Sequence, residues 1–339
     1  MTPPRAAIAR NRWRRFACVA ALLATSLGAA ADDVRVATFN VMNYLCMNRR
    51  VDGRFAPGHP KPEVEKASVR AVLHEVNADI VCLQEVGSQP FLDELQQDLA
   101  REGLDYPHAV LLDGADPLRH VAVLSRRPPR AVIPHTDLTF PYLEGTGTVK
   151  RGVLEVRFES EIGPWSIFVV HLKSPLTEDA RDPQSEQRRT AEARAVRDLV
   201  LRQCGDGDAL YLVAGDLNAA PNSPALAGLT MRGKRRVAEA IPASDSRGET
   251  WTHRQLSSDR YDRFDYLLAS PALRERVRGG RATIHDGDGA LGGSDHRLVW
   301  LVLDLAPAAP ADSAAAPSTP QETNTPAGAK PAGVTKTSG

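Results

Sequence analysis

The 339-residue sequence predicts an α/β (α+β) sandwich, and three observations carry that reading. Short apolar runs, several of them rich in β-branched residues, are bounded by Gly, Pro or Asp, as buried strands tend to be. Amphipathic stretches of helical period separate some of these runs. No Gly-x-Gly-x-x-Gly fingerprint follows the first run, which disfavours a dinucleotide-binding fold.

Taken in chain order, strands are expected at 34–40, 80–85, 121–125, 153–158, 166–171, 210–216, 264–268 and 298–304. Helices are expected over 62–76, 90–102 and 183–204. In the last helix Ala191, Ala195 and Leu199 share one face, with Arg and Glu opposite. Arg188 and Arg189 are read as part of that solvated face.

The two ends have a different composition. Residues 1–31 carry Arg5, Arg10, Arg12, Arg14 and Arg15 and no acid, then an apolar run from Phe16 to Leu27, then Ala29, Ala30 and Ala31. A basic start, an apolar run too short to span a bilayer and a small-residue cleavage site define a signal peptide. Export to the periplasm or the extracellular space is the expectation. Residues 306–339 are dominated by Ala, Pro, Thr, Ser and Gly and cannot bury enough apolar area to offset chain entropy, so a disordered tail is expected. The catalytic domain is then 32–305.

Charge and cysteine usage narrow the function classes. Lys+Arg and Asp+Glu both number 42, but the five arginines of the leader leave 37 basic against 42 acidic residues, a balance of −5 for the remainder. A protein that coats nucleic acid through a basic surface is not indicated. With 42% hydrophobic residues the chain is not wholly disordered, and four cysteines do not make a disulfide scaffold. Cys82, inside Asp79-Ile-Val-Cys-Leu, is expected as a buried thiol, and a Cys46–Cys204 disulfide stays open. A monomer without stable membrane insertion is expected.

Several strand ends finish in polar residues able to do chemistry: Asn40, Glu85, His171, Asp216 with Asn218, and Asp295-His296 just before the last strand. One such end is a chain reaching solvent. Together they are the inventory of a metal-assisted hydrolase, and strand ends can converge on one rim. A carboxylate closing an apolar strand, as Glu85 does, is costly to bury unless paired or metal-bound. Mg²⁺ takes hard oxygen ligands and keeps several waters, so one or two carboxylates suffice. An extended backbone would place Asp216 and Asn218 on one side, although an Asx-turn would use both on local backbone.

The segments ATFNVMNY (37–44), DIVCLQEV (79–86), VAVLSR (121–126), VVHLKS (169–174), VAGDLNAAP (213–221), RFDYLLAS (263–270) and GGSDHRLV (292–299) together resemble the endonuclease/exonuclease/phosphatase superfamily, the deoxyribonuclease-I-like enzymes. The resemblance implies a four-layered sandwich, two packed mixed sheets flanked by helices, and a divalent-metal-dependent phosphoesterase using Mg²⁺ (or Mn²⁺/Ca²⁺). It implies Asn40, Glu85 and Asp295 at the metal. It assigns Asp216 to the attacking water, Asn218 to orienting water and phosphate, and Asp265 to orienting His296, an acid–base or phosphate-contacting group. His171 matches the family histidine, and Arg151 stands where relatives place a phosphate-contacting arginine. Lys173 is either a substrate contact or a solvated charge, and Arg119 is a further candidate. The other histidines are read as structural or surface.

The substrate is open within that class. A nuclease is the first choice. A sphingomyelinase-like enzyme and a sugar or inositol phosphate phosphatase are the alternatives, and a non-catalytic binding module is disfavoured because the main catalytic positions are intact. Two basic runs, 126–130 and 232–236, are candidate patches for a nucleic-acid partner or solvated loops.

Overall fold

The computed structural model describes residues 32–51, 53–205 and 207–307. The expected signal peptide and nearly all of the expected tail lie outside the described residues. Two mixed sheets dominate. The first runs, in spatial order, Ala243–Ser244, Ala282–Ile284, Val299–Asp304, Asp33–Tyr44, Ile80–Val86, His120–Ser125 and His108–Leu112. The second runs Glu239–Ala240, Asp265–Ala269, Leu210–Asp216, Trp165–His171, Val153–Phe158 and Ala131–His135. Each sheet has a parallel pair at its centre, Asp33–Tyr44 with Ile80–Val86 and Trp165–His171 with Leu210–Asp216, flanked by antiparallel neighbours.

Side-chain alternation explains the layers. Val34 and Val36 of the first strand, with Ile80 and Cys82, pack against Ile167, Val169, Leu212 and Ala214 of the other sheet. Ala37, Phe39 and Val41, with Val81 and Leu83, face the opposite way onto the helices Glu63–Val76 and Gln89–Arg101. Phe168, Val170, Tyr211 and Val213 likewise meet the helices Glu186–Cys204 and Pro224–Thr230. Because both faces of the central strands are covered, their sequences read as continuous apolar runs rather than alternating ones. The result is the four-layered sandwich, helices–sheet–sheet–helices.

The eight expected strands and three expected helices are all present with small shifts at the ends. Missing from the expectation are the edge strands His108–Leu112 and Ala131–His135 and several two-stranded ribbons, among them Met47–Val51 with Arg54–His59 and His253–Gln255 with Arg260–Asp262. The ribbons are short and half-exposed, with no apolar run to mark them, whereas the edge strands carry only short ones, at 109–112 and 131–133.

The long helix needs correction. Its buried face is Ala193, Val196, Leu199 and Val200, while Ala191 and Ala195 are only half-buried. Arg189 is buried, not solvated, and its Nη1 donates to the Lys173 carbonyl at 2.9 Å. Arg188 is also largely covered, 13% exposed and 3.5 Å from the buried carboxylate of Glu192. Among the described residues the three cysteines are free: Cys82 is buried as expected, and the Cys46–Cys204 disulfide does not form.

Candidate active site

The alternation that builds the inter-sheet core also builds the site. Counting by twos from Val36 puts Asn40 on the inner face; from Val169, His171; from Ala214, Asp216; from Leu267, Asp265. Each is the polar end of an apolar row. His171 and Asp216 are register partners in the parallel pair, and Asp216 and Asp265 are partners across the antiparallel one. Ordinary sheet spacing therefore brings three groups together at one rim, where His171 and Asp216 line a cleft of about 1080 Å³ and Asp265 is fully buried.

Asp216 is the hub. Its Oδ2 accepts from Asn40 Nδ2 at 3.0 Å and Asn218 Nδ2 at 3.2 Å, and lies 3.4 Å from His171 Nε2 and 3.8 Å from His296 Nε2. Its Oδ1 accepts the Asn218 backbone N–H at 2.8 Å. Burial, then the neighbouring Asp265 carboxylate, raise the Asp216 pKa, with the His296 cation and the donors from Asn218 and Asn40 opposing them. Asn218 does not continue the strand in extended form. It sits at φ 49°, in the Asx-turn arrangement, and its side chain still reaches both Asp216 and the Leu172 carbonyl, the latter at 3.1 Å. The Asx-turn is therefore the arrangement that forms, and the extended continuation is not; the Asn218 side chain meets Asp216 by turning back on it.

Gly215 has a packing reason. A Cβ there would stand 1.9 Å from the Val170 carbonyl oxygen, so no other residue fits between the paired strands.

His296 Nδ1 lies 2.8 Å from Asp265 Oδ2, the expected orienting pair. Burial alone would lower its pKa, but Asp265 and Asp216 outweigh it and raise it to about 10. His296 is therefore the cationic histidine. His171 is the neutral one: burial, then the charges of Arg151, His296 and Arg119, hold its pKa well below the ordinary value. Ser294 ties this loop to the first strand by donating to the Asn40 carbonyl at 2.7 Å and accepting the His296 N–H at 3.0 Å.

Glu85 breaks the alternation. By parity it should face the helices, but it sits at φ 63° in a bulge between Gln84 and Val86, and Val86 resumes the outer face. The bulge turns the carboxylate into the cleft, where Oε2 accepts the Asn43 N–H at 3.0 Å and Oε1 lies 4.0 Å from His171 Nε2. Glu85 and Asn40 come from adjacent strands and offer hard oxygen donors, as does Asp216. Asn40 Oδ1 already accepts the Met42 N–H at 3.0 Å but keeps a second lone pair. A buried carboxylate disfavoured as an anion, beside a bulge-held Glu and an amide oxygen, suits a small hard cation such as Mg²⁺.

The expected phosphate contacts divide. Arg151 lines the cleft, buried, with Nε 3.0 Å from Asp116 Oδ2. Arg119 lines it too, its Nε donating to Asn43 Oδ1 at 2.9 Å. Lys173 is neither a free contact nor a solvated charge. It is buried, and its ammonium donates to the carbonyls of Ser174 and Leu176, tying down the loop that borders the cleft.

His253 was missed. On the second ribbon, it bridges to His296 with ring centres 4.6 Å apart, and its Nε2 lies 3.7 Å from Asp295 Oδ2. Burial alone would raise the Asp295 pKa, but His253 and His296 bring it down. His253, Asp295 and His296 each place a donor atom within 4.8 Å of the others, as do Asp216, Asp265 and His296. The signal available in sequence was position alone: Thr252-His253 precedes the Asp265 strand, with no motif of its own.

The two basic runs prove to be different things. Arg126, Arg127 and Arg130 are matched by Asp79, Asp32 and Glu159 respectively, so the first is a neutralised edge. The second is an exposed two-stranded ribbon, Met231–Arg232 with Arg235–Arg236.

The sequence profile described as "Endonuclease/Exonuclease/phosphatase family" matches residues 37–296. A search of curated proteins gives no match. Among solved structures, an endonuclease/exonuclease/phosphatase from Bacteroides vulgatus superposes with TM-score 0.55 at 19% identity, over 80% of this chain and 99% of that one. Sphingomyelinase C from Streptomyces griseocarneus gives TM-score 0.55 at 16% identity, over 80% and 99%. Beta toxin from Staphylococcus aureus, a mutant form with bound magnesium ions, gives 0.53 at 15% identity, over 79% and 99%. At such identities the likeness is one of fold.

Proposed function

Because the chain belongs to the Endonuclease/Exonuclease/phosphatase family, whose members hydrolyse phosphoester bonds, we propose that it is an exported, metal-dependent phosphodiesterase acting on nucleic acid. The observation that carries the chemistry is the convergence on Asp216. Both its oxygens are held by Asn40 and Asn218, with the neutral His171 on one side and the cationic His296 on the other.

In this reading a divalent metal at Glu85 and Asn40, with Asp295 near it, supplies positive charge to the scissile phosphate. Asp216 takes the proton of the attacking water: its raised pKa makes it a stronger base than an exposed carboxylate, and the asparagines fix its direction. His296 is already protonated, so it stabilises phosphate oxygens or protonates the leaving oxygen, with Asp265 keeping its Nδ1–H in place. His171 donates to a phosphate oxygen without adding charge, and Arg119 and Arg151 add it.

Cleft size favours a polymer over a small phosphomonoester: about 1080 Å³ lies at the upper limit of small-ligand sites. A second reading, a lipid phosphodiester, is favoured by Leu176 and Leu256, 79% and 64% exposed beside cleft-lining residues. Export is supported by the basic-then-apolar start of the sequence.

The test is turnover of plasmid DNA, RNA, sphingomyelin and bis-p-nitrophenyl phosphate by the purified protein with Mg²⁺. Nucleic-acid hydrolysis that stops in EDTA and returns with Mg²⁺ or Mn²⁺ is expected. Full turnover in excess EDTA would remove the metal, and activity on sphingomyelin alone would replace the nuclease reading.

A further inference from the structure

Behind the His253 ribbon lies a second pocket, of about 400 Å³. The ribbon pairs His253 with Asp262, Arg254 with Tyr261 and Gln255 with Arg260. Strand alternation sends His253, Gln255 and Arg260 to the catalytic cleft and Arg254 and Tyr261 to the second pocket. One layer of backbone separates the two, and within it the Arg254 N–H donates to the Asp295 carbonyl at 2.9 Å.

The second pocket is built of flat faces. Trp251 and Tyr261 meet edge to face, ring centres 4.8 Å apart. The Arg297 guanidinium lies over the Trp251 ring at 3.4 Å, and Arg254 over Tyr261 at 5.9 Å. Tyr261 remains 45% exposed. Charge decides what such a pocket takes. Arg297 is 2.8 Å from Asp245, Arg254 2.9 Å from Asp259, and Arg247 3.5 Å from both Asp245 and Glu249. With every guanidinium matched by a carboxylate there is no surplus positive field for a phosphate. Aromatic and guanidinium planes remain, and these stack on a nucleobase whatever its identity.

We propose that the Trp251–Tyr261–Arg254 pocket is a stacking subsite for an unpaired base flanking the scissile phosphate. The substrate is then a single strand, or a duplex opened at that position. This rests on the nuclease reading above and sharpens it.

The experiment compares the protein with its Tyr261→Ala variant on three substrates: a single-stranded oligonucleotide with one cleavable linkage, the same strand with an abasic residue on either side of that linkage, and a small diester without aromatic rings, an abasic dinucleotide. Tyr261→Ala is expected to raise KM for the intact strand about tenfold, the effect of losing one base stack, and to leave the base-free diester unchanged, which also reports an intact fold. One abasic placement should cost the same factor, and combining it with Tyr261→Ala should add nothing. Unchanged KM, or fully multiplicative losses, would overturn the subsite while leaving the nuclease reading standing. Turnover of the small diester with no oligonucleotide cleaved would overturn the nuclease reading itself. A binding readout independent of turnover is Trp251 emission in EDTA, taken as the difference from Trp251→Phe. The intact strand should quench it and the abasic strand should not; equal quenching by both would sink the proposal.

Discussion

The parallel pairs at the centres of the two sheets deliver their side chains differently. In Trp165–His171 with Leu210–Asp216, unbroken alternation carries His171 and Asp216 inward, where both are almost fully buried. In Asp33–Tyr44 with Ile80–Val86, alternation delivers Asn40, but Glu85 arrives through a bulge and a left-handed backbone and keeps 17% of its side chain exposed. Regular strand geometry gives buried groups with displaced pKa values, suited to moving protons. An irregularity gives a carboxylate at the mouth, where an ion can exchange with solvent.

That contrast predicts how each half fails. The largest effect belongs to the regular pair: Asp216→Asn should lower kcat by about 10³-fold to 10⁴-fold if it is the general base, with the circular dichroism spectrum unchanged. A loss below tenfold would move the base elsewhere.

Next comes the anchor beneath the His296 loop. Arg297 is buried and held by Asp245 and the Trp251 carbonyl. Asp245→Asn should cost about 3 kcal/mol at neutral pH, because it leaves a buried cation unpaired. Burial pushes the Asp245 pKa up, but Arg297 and the N–H groups of Glu249 and Arg247 bring it to about 2. A depressed carboxyl stabilises the folded state above its unfolded pKa, near 4, and loses that contribution as pH falls toward 2. Denaturant midpoints between pH 7 and pH 2 should therefore converge for the two proteins in acid; a constant gap would contradict the assignment.

The irregular pair makes the opposite kind of prediction. Glu85→Gly removes a carboxylate and relieves a non-glycine φ of 63°. Mg²⁺ affinity, read from the activation curve, should fall about 100-fold or more. Stability should hold or rise by about 1 kcal/mol. A clear loss of stability would mean that the bulge depends on its side chain.

The smallest effect is expected at the neutralised edge. Arg127→Ala breaks an ion pair with Asp32, and the unfolding free energy should change by less than about 1 kcal/mol. A salt-dependent loss of DNA affinity in this variant would restore the edge as a binding surface.

Much of this was legible in the sequence because buried central strands write themselves as apolar runs, and the site residues stand at their ends. The ribbons were not, since half-exposed strands such as His253–Gln255 carry no apolar signature, and the edge strands write only short runs, at 109–112 and 131–133. His253 is hidden for that reason. Glu85 was found, but not how it turns inward, because a bulge is a pairing event and shows only once Val86 is seen on the outer face. Arg189 was misplaced because a charged helical residue reads as solvated until a carbonyl such as that of Lys173 is brought over it.

The placement of Gly215 against the Val170 carbonyl has a wider consequence. His171 and Asp216 cap two strands that, one residue earlier, leave no room for a single added carbon at Gly215. At Gly215 even a methyl group would drive the two strands apart and move His171 relative to Asp216, so the spacing of these two groups is set by a residue that takes no part in the chemistry.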